Sequence, residues 1–494
     1  MLKQVFGGSN QTVNSGNVLI SLDRFNDLTT FTQITSRLMV SEIRRRASNK
    51  TTEDASQAIV NFLEIPREEP TSPTIPDIGA IEIQSTTLSP SSSSESFSSS
   101  NNNNSNQKGW ILLSTLNLLV CNGSSALIPI MASSSLPSTL VKCLYLFFDL
   151  PATSEGKSLV ESPDQTDTTN QDAIRDAAGS SRLNSKERRL LIQRVFAQLL
   201  TRLCAHPSSL HELTRKDDLA LLFNAITSWC PKHNQIWRQT AADVVVMMAR
   251  SQVTNCAYIH EKNCISICVE NMSRSIELGT ISTGEITDMI TSLINFLFEV
   301  TVNSPSTAGV LLDDFKTALG YHLLVDFSLK LEAILPEDED NLVRIIGIIT
   351  KFTRVGTSEL KPRPLSVNQL FIMDDFSMPR PSTKEAIRNL SAFNVLQTLW
   401  LKAKTVTLQD LLLSSLLSIY REDHANYFIL DSQNTLSQFA EKLQLKPVEI
   451  QVSASFLIVL VLKPVNIFVG ETVHNHGVYS FRAEIRTFQR IDQY

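Results

Sequence analysis

Leu136-Pro137-Ser138-Thr139-Leu140-Val141-Lys142-Cys143-Leu144-Tyr145-Leu146-Phe147-Phe148-Asp149-Leu150-Pro151 reads as one helix with marked ends. Proline in a first helical turn needs no N–H partner there, and Pro151 pushes Leu150 out of helical geometry. Leu140, Cys143, Leu144 and Phe147 fall at i, i+3, i+4 and i+7, while Tyr145, Leu146 and Phe148 make much of the remaining surface apolar. A helix that is apolar nearly all round has to be covered on several sides. The stretch therefore predicts an inner helix with other helices packed around it.

The same periodicity recurs on both sides. Upstream, Ile34, Leu38, Val40 and Ile43 predict a helix ending in Arg44-Arg45-Arg46. Thr51 and Asp54 predict the capped start of a partner carrying Ala55, Ala58, Ile59, Phe62 and Leu63. Downstream, Leu190, Leu191, Val195, Leu199 and Leu203 predict one apolar face, and Asp217 or Asp218 caps the next helix, with Leu219, Leu222, Phe223 and Ile226. Trp237, Ala241, Val244, Val245 and Met248 continue the series, as do Ile286, Met289, Ile290, Leu293, Phe296 and Leu297. After Leu323, Leu324 and Phe327, the acidic run Glu337-Asp338-Glu339-Asp340 precedes Leu342, Ile345, Ile346 and Ile349. Acidic side chains suit the positive end of a helix dipole, so the run predicts a helix start. Ile387, Leu390, Phe393 and Leu396, then Leu408, Leu411, Leu412 and Leu416, predict two more helices.

Three stretches interrupt this pattern. Residues 66–107 are rich in proline, serine and asparagine, with too little apolar surface to offset chain entropy, and predict a disordered insertion. Residues 152–184 predict a polar connection, and the prolines at 362, 364, 379 and 381 predict a loop from Gly356 to Pro381. Serial short helices without a clear strand until the 450s predict an all-α chain, an α-solenoid of the armadillo or HEAT kind. A compact multi-helix bundle is the competing architecture.

Composition narrows the function classes. The 494 residues suffice for about three domains or one repeat array. A net charge of −6 gives no electrostatic reason to expect nucleic-acid binding or adhesion to anionic membranes. Seven cysteines, an odd number, predict reduced core residues of a cytoplasmic protein and no disulfide framework. Residues 1–8 lack a signal-peptide core, and the apolar run 456–462 is far short of the ~20 residues that span a bilayer.

Candidate chemistry is sparse. Cys256, His260, Cys264 and Cys268, spaced by four, could share one helix face. Residues eight apart on a helix are ~12 Å apart, whereas zinc ligands sit ~2.0–2.3 Å from a common ion, so the set predicts buried thiols. His474 and His476 predict a polar turn, and Cys230 with His233 lacks the positioning acid and oxyanion-hole motif of a nucleophile pair. No GxxxxGK[ST] phosphate loop or dinucleotide fingerprint occurs. Arg44-Arg45-Arg46 predicts solvated charge at a helix end. No catalytic, cofactor-binding or metal site is expected.

Several stretches also carry a resemblance. Phe31 to Lys50, Arg215-Lys216-Asp217-Asp218-Leu219, Ile226-Thr227-Ser228-Trp229-Cys230-Pro231, Tyr258 to Lys262, Leu311-Leu312-Asp313-Asp314-Phe315, Ser358 to Pro362 and Ala425 to Leu443 occur in that order. Together with the opening helix, they resemble the N-terminal region of the autophagy-linked FYVE branch of the BEACH family, over roughly residues 28–443. The resemblance implies an armadillo-like part of a cytoplasmic scaffold that binds other proteins in selective autophagy. It implies no enzyme activity, small-molecule substrate, nucleic acid or direct membrane insertion. The family's PH-like, BEACH, WD-repeat and FYVE modules are not found here, and without an RKHHCR-like motif its zinc and lipid binding is not carried over. A vesicle-trafficking adaptor resembling neurobeachin or the lysosomal trafficking regulator is the alternative, with a metal-binding or cysteine-dependent enzyme behind it. The expected organisation is a divergent segment 1–27, a helical hairpin 28–65, the insertion 66–107, an armadillo-like region 108–443 and a divergent, irregular or β-prone tail 444–494.

Overall fold

The computed structural model describes residues 22–48, 58–63 except 60, 100–146, 185–214, 218–229, 233–358, 360, 381, 385–431, 443, 445–448 and 450–452. Among these residues the regular structure is helical and no strand occurs. The helices divide between two units, one formed by residues 1–221 with 230–240, the other by 222–229 with 241–494.

The first unit contains α1 (Leu22–Ala47), α2 (Ser100–Asn122), α3 (Leu127–Ser133), α4 (Leu136–Leu146), α5 (Ser185–Cys204) and α6 (Pro207–Thr214). Helix α1 packs on α2, α3 and α4; α2 also meets α5, and α4 meets α5 and α6. The opening helix is inner, as its composition predicts: Leu136, Pro137, Ser138, Thr139, Leu140, Val141, Cys143 and Leu144 are all buried. Its charged residue, Lys142, reaches across to the buried Asp218, with Nζ 3.4 Å from Oδ1. Phe147 and Phe148 lie outside the described residues.

Helices α7 (Asp218–Ile226) and α8 (Gln235–Arg250) pass from the first unit into the second. The second unit continues with α9 (Cys256–Glu261), α10 (Cys264–Leu278), α11 (Thr283–Asn303), α12 (Pro305–Thr317), α13 (Gly320–Glu332), α14 (Glu339–Phe352), α15 (Leu390–Lys402), α16 (Val406–Glu422) and α17 (His424–Asp431). Helix α11 packs on α10, α12 and α14; α13 on α12, α14 and α15; α16 on α14, α15 and α17. Among the described residues, the helices of this unit that pack most closely lie at most three places apart in the series. Such serial packing, in which each element rests on near neighbours, is the arrangement of an α-solenoid.

Local chemistry sets the helix ends. Ser282 and Glu285 form a reciprocal capping box at α11, Asn389 Oδ1 accepts from the Ala392 N–H at α15, and Pro305 opens α12. Glu339 and Asp340 occupy the first turn of α14, where the acidic run was expected to begin a helix. Gly279 closes α10 in the left-handed region, at φ 60°.

Gly320 is required for a different reason. A β-carbon there would come within 2.4–2.6 Å of the Phe315 ring. That ring is held edge-on to Tyr321 at 5.2 Å and to Phe352 at 5.6 Å, so it has no free direction in which to move. Gly320→Ala is expected to lower stability by about 1–3 kcal/mol, the cost of overpacking a filled core, read as a lower urea midpoint.

The structure corrects several sequence expectations. On α1, Ile34 and Leu38 are exposed, and the buried face is instead Leu28, Thr32, Thr35, Ser36, Met39, Val40 and Ile43. The hydroxyls can be buried because each donates to the carbonyl four residues back, Thr32 to Leu28 at 2.8 Å and Ser36 to Thr32 at 2.7 Å. On α5, Leu191 is exposed, and Ile192, Phe196, Leu199, Leu200 and Leu203 form the core face. Helix α2 starts at Ser100, inside the stretch 66–107 that predicts disorder. Once Leu113 and Leu116 anchor a helix in the core, each added turn costs only propagation, which asparagine tolerates. Ile387 lies outside α15, where its buried N–H donates to Asn426 Oδ1 at 2.8 Å.

Helix α1 also begins within the segment 1–27, at Leu22. The expected boundary at 443/444 does not mark the end of packing either. Ile450 is fully buried, residues 450–452 are helical, and Lys446 donates to the Trp400 and Ala403 carbonyls. The rest of the β-prone tail, the residues Thr51 and Asp54, residues 66–99, the connection 152–184 and most of the 356–381 loop lie outside the described residues.

Candidate interaction surface

The four-residue series Cys256, His260, Cys264 and Cys268 does not run along one helix. Asn263, with φ 52° in the left-handed region, breaks it into α9 and α10. Three of the side chains then take separate partners. His260 Nδ1 lies 2.9 Å from both oxygens of Asp314, Thr307 Oγ1 donates to Cys256 Sγ at 3.5 Å, and Cys268 Sγ donates to the Phe223 carbonyl at 3.4 Å. Among the described residues, no three His, Cys, Asp or Glu side chains come together as a metal site. His474, His476 and Cys230 lie outside the described residues. His233 packs on Tyr145 with ring centroids 4.6 Å apart, its Nε2 3.0 Å from the Tyr145 carbonyl.

Burial raises the thiols. It pushes Cys143 and Cys268 up to about 12 and Cys264 up to about 11; Cys204 is raised as well, by burial first and then by Glu212. Cys121 is exposed. Because the thiolate is the reactive form, iodoacetamide at neutral pH is expected to alkylate Cys121 at least about a hundredfold faster than Cys143, Cys264 or Cys268. Peptide mapping by mass spectrometry checks this, and equal rates at these cysteines would contradict the packing.

The arginine run has local partners. Arg45 is 2.9 Å and Arg46 3.5 Å from Glu42, and Arg46 lies over the Phe62 ring at 4.3 Å from its centroid. The hydrogen bond from Arg45 holds the Glu42 carboxyl below its ordinary range. Helix α1 thus uses two of these arginines in fold contacts.

A concave feature among the described residues lies in the first unit, between α5 and the first turns of α8. It is a groove of about 480 Å³ walled by Arg194, Gln198 and Arg202 on one side and by Gln235 and Gln239 on the other, with Ala197 and Ile236 also lining it. The α5 residues stand at i, i+4 and i+8 and so share a helix face. A half-buried amide pair links the walls: Gln193 Nε2 donates to Asn234 Oδ1 at 3.2 Å, and Asn234 Nδ2 donates to Gln193 Oε1 at 2.6 Å. Asn234 Oδ1 also accepts the Trp237 N–H at 3.1 Å, which starts α8 at that point. Arg202 is positioned from behind by Asn117 Oδ1 at 2.9 Å and by a contact with Cys121 Sγ. No sequence motif marks this groove; arginine and glutamine at helical spacing look like any solvated face.

Helices in serial contact define an all-α solenoid. Among curated proteins, the chain is similar to WD repeat- and FYVE domain-containing protein 4 of Homo sapiens, with 25% identity over 350 residues, which is 70% of this chain and 10% of that protein. The Mus musculus protein of the same name is 27% identical over 350 residues, again 70% of this chain and 10% of the relative. The chain therefore spans about a tenth of the length of these relatives. No protein-family model matches it. The similarity is to WD repeat- and FYVE domain-containing proteins and does not single out the autophagy-linked FYVE branch that the sequence resembles.

Proposed function

We propose that this chain is a non-enzymatic, cytoplasmic scaffold segment that works by binding other proteins, within a larger protein of selective autophagy. Similarity over 70% of the chain to WD repeat- and FYVE domain-containing protein 4 supports the scaffold part of this reading, and the autophagy part follows the resemblance of the sequence to the autophagy-linked FYVE branch. The fold agrees with it physically. The buried cysteines serve packing, and His260 and Asp314 hold α9 against α12. A helical stack offers a long surface on which other proteins could be bound.

The test uses the full chain as bait in cells under proteotoxic stress. Proteins of the autophagy machinery are expected to be cross-linked to it, in a set unchanged by a metal chelator. Recovery of vesicle-sorting proteins alone would replace this reading with the trafficking one. Turnover of a substrate by the purified chain would overturn both.

A further inference from the structure

We infer that the seam between α1 and α2 docks an acidic amphipathic helix of a partner protein. The inference deepens, and rests on, the reading of this chain as a protein-binding scaffold. Three observations carry it.

The first is an uncovered apolar face. Ile34 and Leu38 on α1, and Ile111 and Leu118 on α2, are between 39% and 60% exposed. The α1 pair stands at i and i+4 and the α2 pair at i and i+7, so each pair shares one side of its helix. An apolar stripe on a helix ordinarily faces a core, and this one faces outward.

The second is juxtaposition. The Glu42 carboxyl, held down first by its hydrogen bond from Arg45, also feels the charge of Lys108. Gly109 backs onto the Phe62 carbonyl and ring, and Arg46 lies over the same ring. Residues 108–109 of α2 therefore meet the C-terminal end of α1. Helix α3 begins a few residues after α2 and packs on α1 as well, so α2 runs back along α1 and not past its end. Ile111, one turn beyond Lys108, then comes level with Leu38, one turn before Glu42. The other flank of α2 is taken by α5, where Arg202 donates to Asn117 Oδ1 at 2.9 Å. The four aliphatic side chains thus border one seam between antiparallel helices, into which a third helix can pack at ~8–10 Å. Leucines at i, i+3, i+4 and i+7 of that helix span ~10.5 Å, the rise from Ile111 to Leu118.

The third is charge. Among the described residues between 28 and 146, six basic residues, Arg37, Arg44, Arg45, Arg46, Lys108 and Lys142, stand against one acidic residue, Glu42, in a chain of net charge −6. Arg45 and Arg46 are paired with Glu42, and Lys142 with Asp218, while Arg37, Arg44 and Lys108 are exposed on α1 and α2. A cationic border beside an apolar stripe complements a helix whose leucines are flanked by carboxylates. An anionic membrane has the same sign, but membrane-surface helices set Trp or Phe into the lipid, and the exposed large apolar residues of α1 and α2 are all aliphatic.

The experiment is fluorescence anisotropy with the full chain and a fluorescein-labelled tetradecapeptide, Ser-Glu-Glu-Leu-Gln-Glu-Leu-Leu-Ala-Glu-Leu-Glu-Ser-Gly. Saturable binding is expected, weakened about tenfold when the glutamates become glutamine and at least about tenfold when the leucines become serine. Leu38→Glu and Ile111→Glu should each weaken it by about tenfold or more, with the urea midpoint unchanged because both positions are exposed. Arg37→Glu should weaken the acidic peptide and leave the glutamine peptide unaffected.

Absence of saturable binding, or equal binding of the acidic and glutamine peptides, would overturn the inference. Tighter association with phosphatidylserine-containing vesicles that is lost in Leu38→Glu would overturn it in favour of a membrane. Dimerisation of the full chain in sedimentation velocity that is lost in Leu38→Glu would overturn it in favour of a second copy. Partners that cross-link equally to the wild-type and Leu38→Glu chains in cells would leave the scaffold reading standing while the seam assignment falls. If no partner cross-links even to the wild-type chain, both fall.

Discussion

Trp400→Ala is expected to lower stability by about 3–5 kcal/mol, the range for removing a fully buried large aromatic side chain. Trp400 is only 1% exposed, on α15, a helix that α13, α14 and α16 all cover. Its ring is also the platform for Lys446, whose Nζ sits 4.9 Å from the ring centroid while donating to the Trp400 carbonyl at 2.8 Å. Truncation therefore opens a cavity and loosens the segment around Ile450 in one step. A urea titration followed by circular dichroism reads the loss, and limited proteolysis reads the release, with cleavage near 443–452 rising in the variant. An unchanged midpoint would mean that α15 is not an inner helix.

Glu332→Ala is expected to cost about 3 kcal/mol. The buried carboxylate holds the start of α16: Oε1 accepts from the Lys404 N–H at 2.7 Å, the Thr405 N–H at 2.6 Å and Thr405 Oγ1 at 2.9 Å. Hydrogen bonds to a charged group contribute ~1.5–3 kcal/mol each, and the truncation also strands donors where water has little access. Glu332→Gln keeps one acceptor oxygen and should recover part of the loss. That graded series, Glu above Gln above Ala in urea midpoint, separates hydrogen bonding from side-chain volume. Equal stability of all three would show that Thr405 caps α16 unaided.

The opening helix shows how much the sequence could reveal. Two prolines and an apolar surface predicted a bounded inner helix, and burial of Leu136 to Val141 with Cys143 and Leu144 agrees. Long apolar helices such as α11 and α14 were equally legible, because a strong 3.6-residue repeat outweighs local propensity.

Faces were less legible than helices. On α1 the core side is marked by threonine and serine, which look polar until their hydroxyls bond within the helix. On α5 the cluster of leucines at 190 and 191 drew the face a third of a turn away from Ile192 and Phe196. The break at Asn263 was invisible because one left-handed residue leaves no periodic trace, yet it separates the cysteines that a continuous helix would have aligned.

Contacts distant in sequence could not be read at all. Glu332 meets Thr405 across 73 residues, and Gln193 meets Asn234 across 41, so neither pair has a local signature. The groove shares this property, since its two walls come from helices that only the fold brings together.

Hydrogen exchange by mass spectrometry on the wild-type chain and Trp400→Ala tests the central structural claim, serial packing, most directly. In a solenoid, stability is close to a sum of repeats and nearest-neighbour interfaces. The expected result is faster exchange confined to α13 through α17 in the variant, with α9 and α10 of the same unit retaining wild-type protection. Loss of protection in α9 and α10 equal to that in α15 and α16 would contradict serial packing and leave the all-or-none unfolding of a compact bundle.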